Sequence, residues 1–368
     1  AIMQIYIPAF VLSFLLAVLS VARPDEHDFN NKPQPFLYWL SGTVLVAVLA
    51  LREGVGTDYY DVYVRNYNII AAGGASRFEP GFTLLIKTLS FLGFDYHALF
   101  FVCAALTVGL VYFAIYTQTN KPLWGLFIFM TGGLFFATTN MVRQAIAIAI
   151  LLNGLPFALR RQPFPYFTLV ALAASFHLSA VIFVVFYFLT DWKPYSIKSV
   201  IVLVITVVFA GSIVSQALNI ASRYSTQVAT YMNNERLSQT FLVEGNYDLA
   251  DLLICLFPLI VYFVIAGQIR DSKYYRSVSY SILFLFVGVL TCILSGRVFL
   301  LSRVAAYFSP FCILAVPQLF ESIDDVDSQG GLLIKMATAI FFCCSCCYLF
   351  GILNFSNVLP YVSVFDNL

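Results

Sequence analysis

The sequence predicts an all-α, polytopic integral membrane protein with about ten full spans plus one broken, re-entrant hairpin, or about twelve membrane helices if its halves are counted. Hydrophobic residues make up 61% of the 368 and charged residues only 11%, a balance that ordinary soluble domains do not have. Mean hydropathy is +0.87. The apolar residues fall in repeated runs long enough for a hydrocarbon core about 30 Å thick.

Full spans are expected at 2–21, 36–51, 97–116, 123–139, 141–159, 200–218, 249–267, 278–295, 304–320 and 332–350. The first lacks a basic n-region and runs into Arg23-Pro24 instead of a small-residue cleavage site, so it reads as a retained span. Glu79–Phe94 is too short to cross and carries Lys87, which suits a half-inserted or interfacial helix begun by Pro80. Phe164–Thr190 is too long: as one helix its 27 residues would measure about 40 Å. A hairpin broken at Phe176-His177 fits better, and irregular backbone at that depth is tolerated only where it lines a protein cavity. The whole chain, 1–368, reads as one transmembrane domain with outer loops at 52–79, 219–248 and 351–368.

The charges sort by type. With the N-terminus outside, lysine obeys the positive-inside rule: Lys32, Lys121, Lys193, Lys198, Lys273 and Lys335 fall inside, and Lys87 alone falls outside. Arginine does not obey it. Arg23, Arg160, Arg161, Arg270 and Arg276 fall inside with the lysines, but Arg52, Arg65, Arg77, Arg143, Arg223, Arg236, Arg297 and Arg303 fall at outer positions. Insertion electrostatics does not separate the two residue types, whereas the guanidinium fork suits bidentate binding of phosphate or carboxylate. The plain alternative is pairing with outer acids, and Arg223 and Arg236 fit that better.

Four cysteines (103, 255, 292 and 312) lie singly in apolar runs, and CCSCC (343–347) closes the last span. No polar co-ligands stand near them, so they read as small apolar filler and not as a metal site; no metal and no cofactor are expected. Phosphate-binding GxxxxGK[ST], HExxH and GxSxG patterns are absent from the sequence.

The most polar interruption, LREGVGTDYYDVYVRNYNIIAAGGASRFEPGF (51–82), brings Arg52, Asp58 and Glu79 together with four tyrosines. A loop this long is functional or disordered, and its aromatic content argues against disorder. Asn140, Arg143 and Gln144 open a span otherwise made of Ala, Ile and Leu, and a helix start with a guanidinium is an anion-friendly end. A cap plus a snorkelling arginine is the bland alternative. His177 in ASFHLSA can act as base, acid or hydrogen-bond donor, or be a buried structural histidine. Arg297 and Arg303 flank a turn in SGRVFLLSR, with Tyr307 one helical turn further on, and could face one anionic group from two sides.

Taken in order, REGVGTDYYDVY (52–63), EPGF (79–82), NMVRQAIA (140–147), SFHLSA (175–180), RVAAYF (303–308) and LPYVSVF (359–365) resemble the EpsG branch of the Wzy-type exopolysaccharide and O-antigen polymerases. The resemblance implies a C-type-like membrane glycosyltransferase in the bacterial cytoplasmic (inner) membrane, with its active site facing outside. It implies joining of undecaprenyl-pyrophosphate-linked oligosaccharide repeats with release of the lipid pyrophosphate. The substrate lipids, the bilayer, a flippase and a chain-length regulator are the implied partners; nucleic acid is not among them. In that frame His177 is the first choice for the acceptor's proton partner, with Asp58 and Glu79 next. Arg143, Arg297, Arg303 and Arg52 are assigned to the pyrophosphate, and Tyr59, Tyr63, Asn140, Gln144 and Tyr307 to the sugars.

Three rival activities remain at this level. A carbohydrate O-acyltransferase would need an acyl donor on the inner side, whereas the polar clusters lie outside. A lipid-linked oligosaccharide flippase would need a basic path through the bilayer. A ligase moving finished chains to another acceptor shares most of the chemistry.

Overall fold

The computed structural model describes residues 3–22, 32–224, 249–296, 300–326 and 331–366. The expected outer loop at 219–248 therefore lies almost wholly outside the described residues, as does Arg297. Among the described residues the chain is helical throughout, with one isolated bridge, Arg52 to Ser363, and no strand.

In order, the helices are α1 (Tyr6–Ala22), α2 (Pro35–Ala50), α3 (Arg65–Ala71), α4 (Pro80–Phe91), α5 (Tyr96–Gln118), α6 (Pro122–Thr131), α7 (Leu134–Ala137), α8 (Val142–Leu152), α9 (Leu155–Leu159), α10 (Pro163–Phe176) and α11 (Ile197–Tyr224). Beyond them come Leu249–Ile265, Tyr275–Ser295, Leu300–Ala305, Cys312–Val326 and Gly331–Cys346. Proline opens α2, α4, α6 and α10, where its missing N–H costs nothing and its fixed φ already suits a helix. Asp95 caps α5 by accepting the His97 N–H at 3.0 Å, a satisfied orphan donor of the first turn.

Five stretches are long and apolar enough to cross a membrane: 96–118, 142–159, 275–295, 301–326 and 331–352, taken through their short breaks. Seven shorter apolar helices accompany them, so several expected spans are interrupted or shorter than read. The run 123–139 breaks at Gly132-Gly133, where Gly133 has φ +95, a conformation glycine adopts without the Cβ penalty. The run 200–218 extends to 197–224 and kinks at Phe209. Leu300–Ala305 and Cys312–Val326 are separated by a turn and a short 3-10 segment, Ser309–Phe311. The stretch 301–326 is the centre of the bundle, with 94% of its apolar window buried, while 331–352 is peripheral at 17%.

The broken hairpin is present. The α10 helix ends at His177, whose φ −152 and ψ 111 are extended, and a 3-10 helix (Leu178–Leu189) runs back. Its two feet are tied by the Arg161–Asp191 ion pair and by Arg161 Nη1 donating to Tyr187 O at 3.2 Å. A 3-10 run of this length is uncommon because its hydrogen bonds are poorly aligned. Tyrosines supply what the backbone lacks: Tyr166 donates to Phe183 O at 2.7 Å and Tyr280 to Phe186 O at 3.0 Å. Phe183 also packs on Phe284, Phe308 and Phe311 with centroids 5.6–5.7 Å away, which fixes the returning arm against the central helices.

The polar residues form two layers at opposite ends of α5, whose 23 residues span about 35 Å. At its C-terminal end Glu321 accepts the Thr119 hydroxyl and the Asn120 N–H. Beside it Lys121 and Lys335 each reach Asp324 at 2.5 Å. At its N-terminal end lie Arg52, Glu53, Asp95 and His97, next to the candidate site.

Candidate functional site

The motifs singled out in the sequence interlock at that N-terminal end of α5. Gly56 has φ +100, and a Cβ there would stand 3.0 Å from Thr139 O. That close approach lets the Thr57 N–H donate to Asn140 Oδ1 at 2.7 Å. Gly81 packs on Ser175 of α10 in the same way. The C-terminal segment closes over the first motif: Glu53 N donates to Val362 O at 2.8 Å, Val364 N to Leu51 O at 2.9 Å, and Tyr361 Oη to Val48 O at 2.9 Å.

Glu79 is at the centre. It sits at the N-cap of α4 without capping it, so both carboxylate oxygens are available to other elements. One ion-pairs with Arg143 Nη1 from the start of α8. The other accepts the Leu178 N–H at 3.2 Å and lies 4.0 Å from His177 Nδ1, beyond hydrogen-bond reach. The Arg143 guanidinium stands 4.7 Å over the Phe78 ring, a cation–π contact that fixes its plane. The His177 and Tyr307 rings meet edge to face with centroids 5.9 Å apart. Gln144 donates to Arg303 O at 2.8 Å, which anchors Leu300–Ala305 to α8 and leaves the Arg303 side chain exposed.

Arg143 Nε, His177 Nδ1 and Tyr307 Oη are buried without a hydrogen-bond partner. Buried polar atoms without partners are uncommon and costly. Here two of them belong to side chains beside the Glu79 carboxylate and the third to Tyr307, packed on His177, and the Glu79, Arg143 and His177 side chains keep 17%, 22% and 18% of their surface open. The arrangement can bind an anion at the arginines and move a proton at the histidine.

His177, Glu79, Arg143, Gln144, Arg303 and Tyr307 are thus brought together. Asp58 stands on the Asn140 flank, accepting the Thr57 hydroxyl at 3.3 Å. Arg297 falls outside the described residues. Arg52, Tyr59 and Tyr63 are buried.

Arg52 is 2% exposed, donates to Leu49 O and, at 3.5 Å, to Thr139 O, and lies 4.7 Å over Phe100. Burial lowers its pKa. It braces the fold beside a cavity of about 10 Å³, room for roughly one water. Tyr59 stacks on Phe100 at 4.3 Å and donates to Glu53 Oε2 at 2.9 Å. Tyr63 donates to Asn140 O at 2.9 Å. Both tyrosine rings are buried, so neither presents a face to a sugar in this structure.

The reason lies in residues 59–64, which form a π-helical turn whose phase differs from the usual helical spacing. It turns Tyr60 outward, 52% exposed, and that tyrosine escaped the sequence reading. So did Glu53, which accepts from Tyr60 at 2.7 Å, Tyr59 at 2.9 Å and His97 at 3.0 Å. Burial pushes the Glu53 carboxyl up, but those three donors together outweigh it and hold it below the usual carboxylate value. The Tyr60 phenol is pushed up to about 12, first by its bond to Glu53. No sequence signal announces the Leu178 N–H. Among the described residues no three His, Cys, Asp or Glu side chains converge as metal ligands.

A protein-family model described as the EpsG family matches residues 36–363. That range takes in every motif named above except the last residues of the C-terminal segment. No curated protein and no solved structure matches the chain.

Proposed function

The chain belongs to the EpsG family, and on that premise we propose that it is an exopolysaccharide polymerase that joins undecaprenyl-pyrophosphate-linked oligosaccharide repeats. The growing chain leaves its lipid pyrophosphate for a sugar hydroxyl of the incoming repeat. Its place is the bacterial cytoplasmic membrane, with the Glu79–Arg143–His177 site at the outer face. The segregation of lysine pairs to one end of α5 and of this site to the other supports that orientation through the positive-inside rule.

The observation that carries the reading is the group of three unpartnered buried atoms, Arg143 Nε, His177 Nδ1 and Tyr307 Oη, on side chains linked to Glu79 directly or through His177. Departure of a lipid pyrophosphate puts negative charge on phosphate oxygens. Fixed guanidinium groups stabilise such charge best where water is partly excluded. Arg143, with Nη1 on Glu79 and Nε unpaired, offers its guanidinium fork to the phosphate, and the exposed Arg303 can add a second guanidinium. His177 takes the proton of the acceptor hydroxyl. Tyr307 Oη donates to a phosphate or sugar oxygen. A Glu79 carboxylate held by Arg143 and by the Leu178 N–H is a poor nucleophile, which favours direct displacement with inversion over a covalent glycosyl intermediate.

The test is reconstitution of the purified protein in lipid vesicles with a defined lipid-linked repeat. A ladder of products, each longer by one repeat, supports polymerisation. Transfer only to an added second acceptor lipid would point to a ligase. Modification only when an acyl donor is added would point to an acyltransferase, and movement of the lipid across the bilayer without chain growth to a flippase.

A further inference from the structure

We propose that Glu79 is an exchangeable counter-ion shared between Arg143 and His177, so that binding of the donor's pyrophosphate arms the base; this rests on the functional reading above. One carboxylate oxygen is on Arg143, and the other is 4.0 Å from His177 Nδ1. The Leu178 N–H holds that second oxygen at 3.2 Å and serves as the pivot. A phosphate and a carboxylate compete for the same guanidinium fork, and the dianionic pyrophosphate carries more charge. When it takes Arg143, the displaced carboxylate has one short move left to it, onto Nδ1.

That move sets the chemistry. Nδ1 carries the ring proton and donates it to Glu79, which fixes the tautomer and orientation of the imidazole, as a carboxylate does in a hydrolase triad. The Nε2 lone pair then accepts the proton of the attacking sugar hydroxyl. The hydroxyl oxygen bonds to the anomeric carbon as the bond from that carbon to the phosphate oxygen breaks. Its electron pair leaves on the pyrophosphate, held by Arg143 and Arg303. Glu79 is in this account a positioning residue, since it acts through Arg143 and His177 and touches no reacting atom. Coupling the base to the donor also limits proton abstraction to occasions when a leaving group is in place.

The experiment uses the full chain in nanodiscs with undecaprenyl pyrophosphate as the binding probe and the lipid-linked repeat as substrate. Glu79→Gln keeps an acceptor for the Leu178 N–H but removes the competing charge. It should bind the probe about fivefold tighter, the scale of one partly exposed ion pair, while turnover falls by about 100-fold, the lower range for loss of an oriented base. Weaker or equal binding in that variant would overturn the exchange and make Glu79 a structural partner of Arg143. A second measurement needs no variant: the chain has three histidines, so the ring nitrogens of His177 can be followed by 15N NMR. Saturating probe should shift the His177 Nδ1 signal of the unaltered protein towards the hydrogen-bonded form, and an unmoved signal would overturn the exchange. Failure of the unaltered protein to bind the probe at all would overturn the functional reading itself.

Discussion

Gly81 lies so close to Ser175 that a Cβ would stand 2.9 Å from the serine's carbonyl oxygen. The contact joins α4 to α10 directly behind Glu79 and His177, so the distance between those two residues is set by a hydrogen atom in place of a methyl group. Gly81→Ala should destabilise the protein by about 1–3 kcal/mol, the usual cost of overpacking, and lower polymer synthesis. Gly109→Ala, where nothing lies within 4 Å, should be neutral or stabilising by up to about 1 kcal/mol. Thermal unfolding of the two purified variants checks both; equal effects would separate the packing from the site.

Arg143→Lys keeps the charge and loses the fork. Polymer synthesis should drop at least tenfold, on the order of a lost charge-stabilising donor, because an ammonium cannot grip a phosphate through two parallel N–H bonds. A gel of products from equal amounts of each protein reads it, and normal polymer length in the variant would remove Arg143 from the pyrophosphate site.

Tyr307→Phe separates function from packing. The Tyr307 hydroxyl is buried without a partner in the fold, so removing it should leave the melting temperature unchanged or slightly raised. If the hydroxyl meets substrate, turnover should fall by about tenfold or more. Full turnover in the variant would make Tyr307 a wall residue only.

Stability of the 52–64 segment should depend on acidity. Glu53 has its pKa lowered in the fold because donors from Tyr60, Tyr59 and His97 outweigh its desolvation. A depressed carboxylate contributes stability that is present above its unfolded pKa and lost as the pH falls through the folded one. Between about pH 6 and pH 3 the unaltered protein should therefore lose its melting-temperature advantage over Glu53→Gln, since the unfolded value is about 4.3. Parallel curves would show that the three donors contribute nothing net.

The membrane architecture was legible because burial in lipid demands long apolar runs, and the break at His177 was legible because Phe164–Thr190 is too long to be one span and polar in its middle. Gly132-Gly133 and the turn at 306–308 were not, since a glycine pair and a short reversal leave an apolar run looking continuous. Glu79, Arg143, His177 and Tyr307 could be singled out because ionisable or polar groups amid apolar sequence are conspicuous. Their pairing could not be read, because it depends on the Gly81–Ser175 approach and on a backbone N–H that any residue but proline provides at 178. Tyr59 and Tyr60 show the limit most clearly. Adjacent and chemically identical, they differ only through the phase of a π-helical turn, which buries Tyr59 and exposes Tyr60.

Replacing His177 with alanine, in membranes supplied with a defined lipid-linked repeat, reaches the centre of this account. Its ring meets Tyr307 edge-on and its Nδ1 makes no hydrogen bond within the fold, so the protein should accumulate to its normal level. Single repeats on their lipid should build up, with polymer growth reduced about 100-fold or more. Chains of ordinary length made by that variant would contradict the account and leave His177 a structural residue.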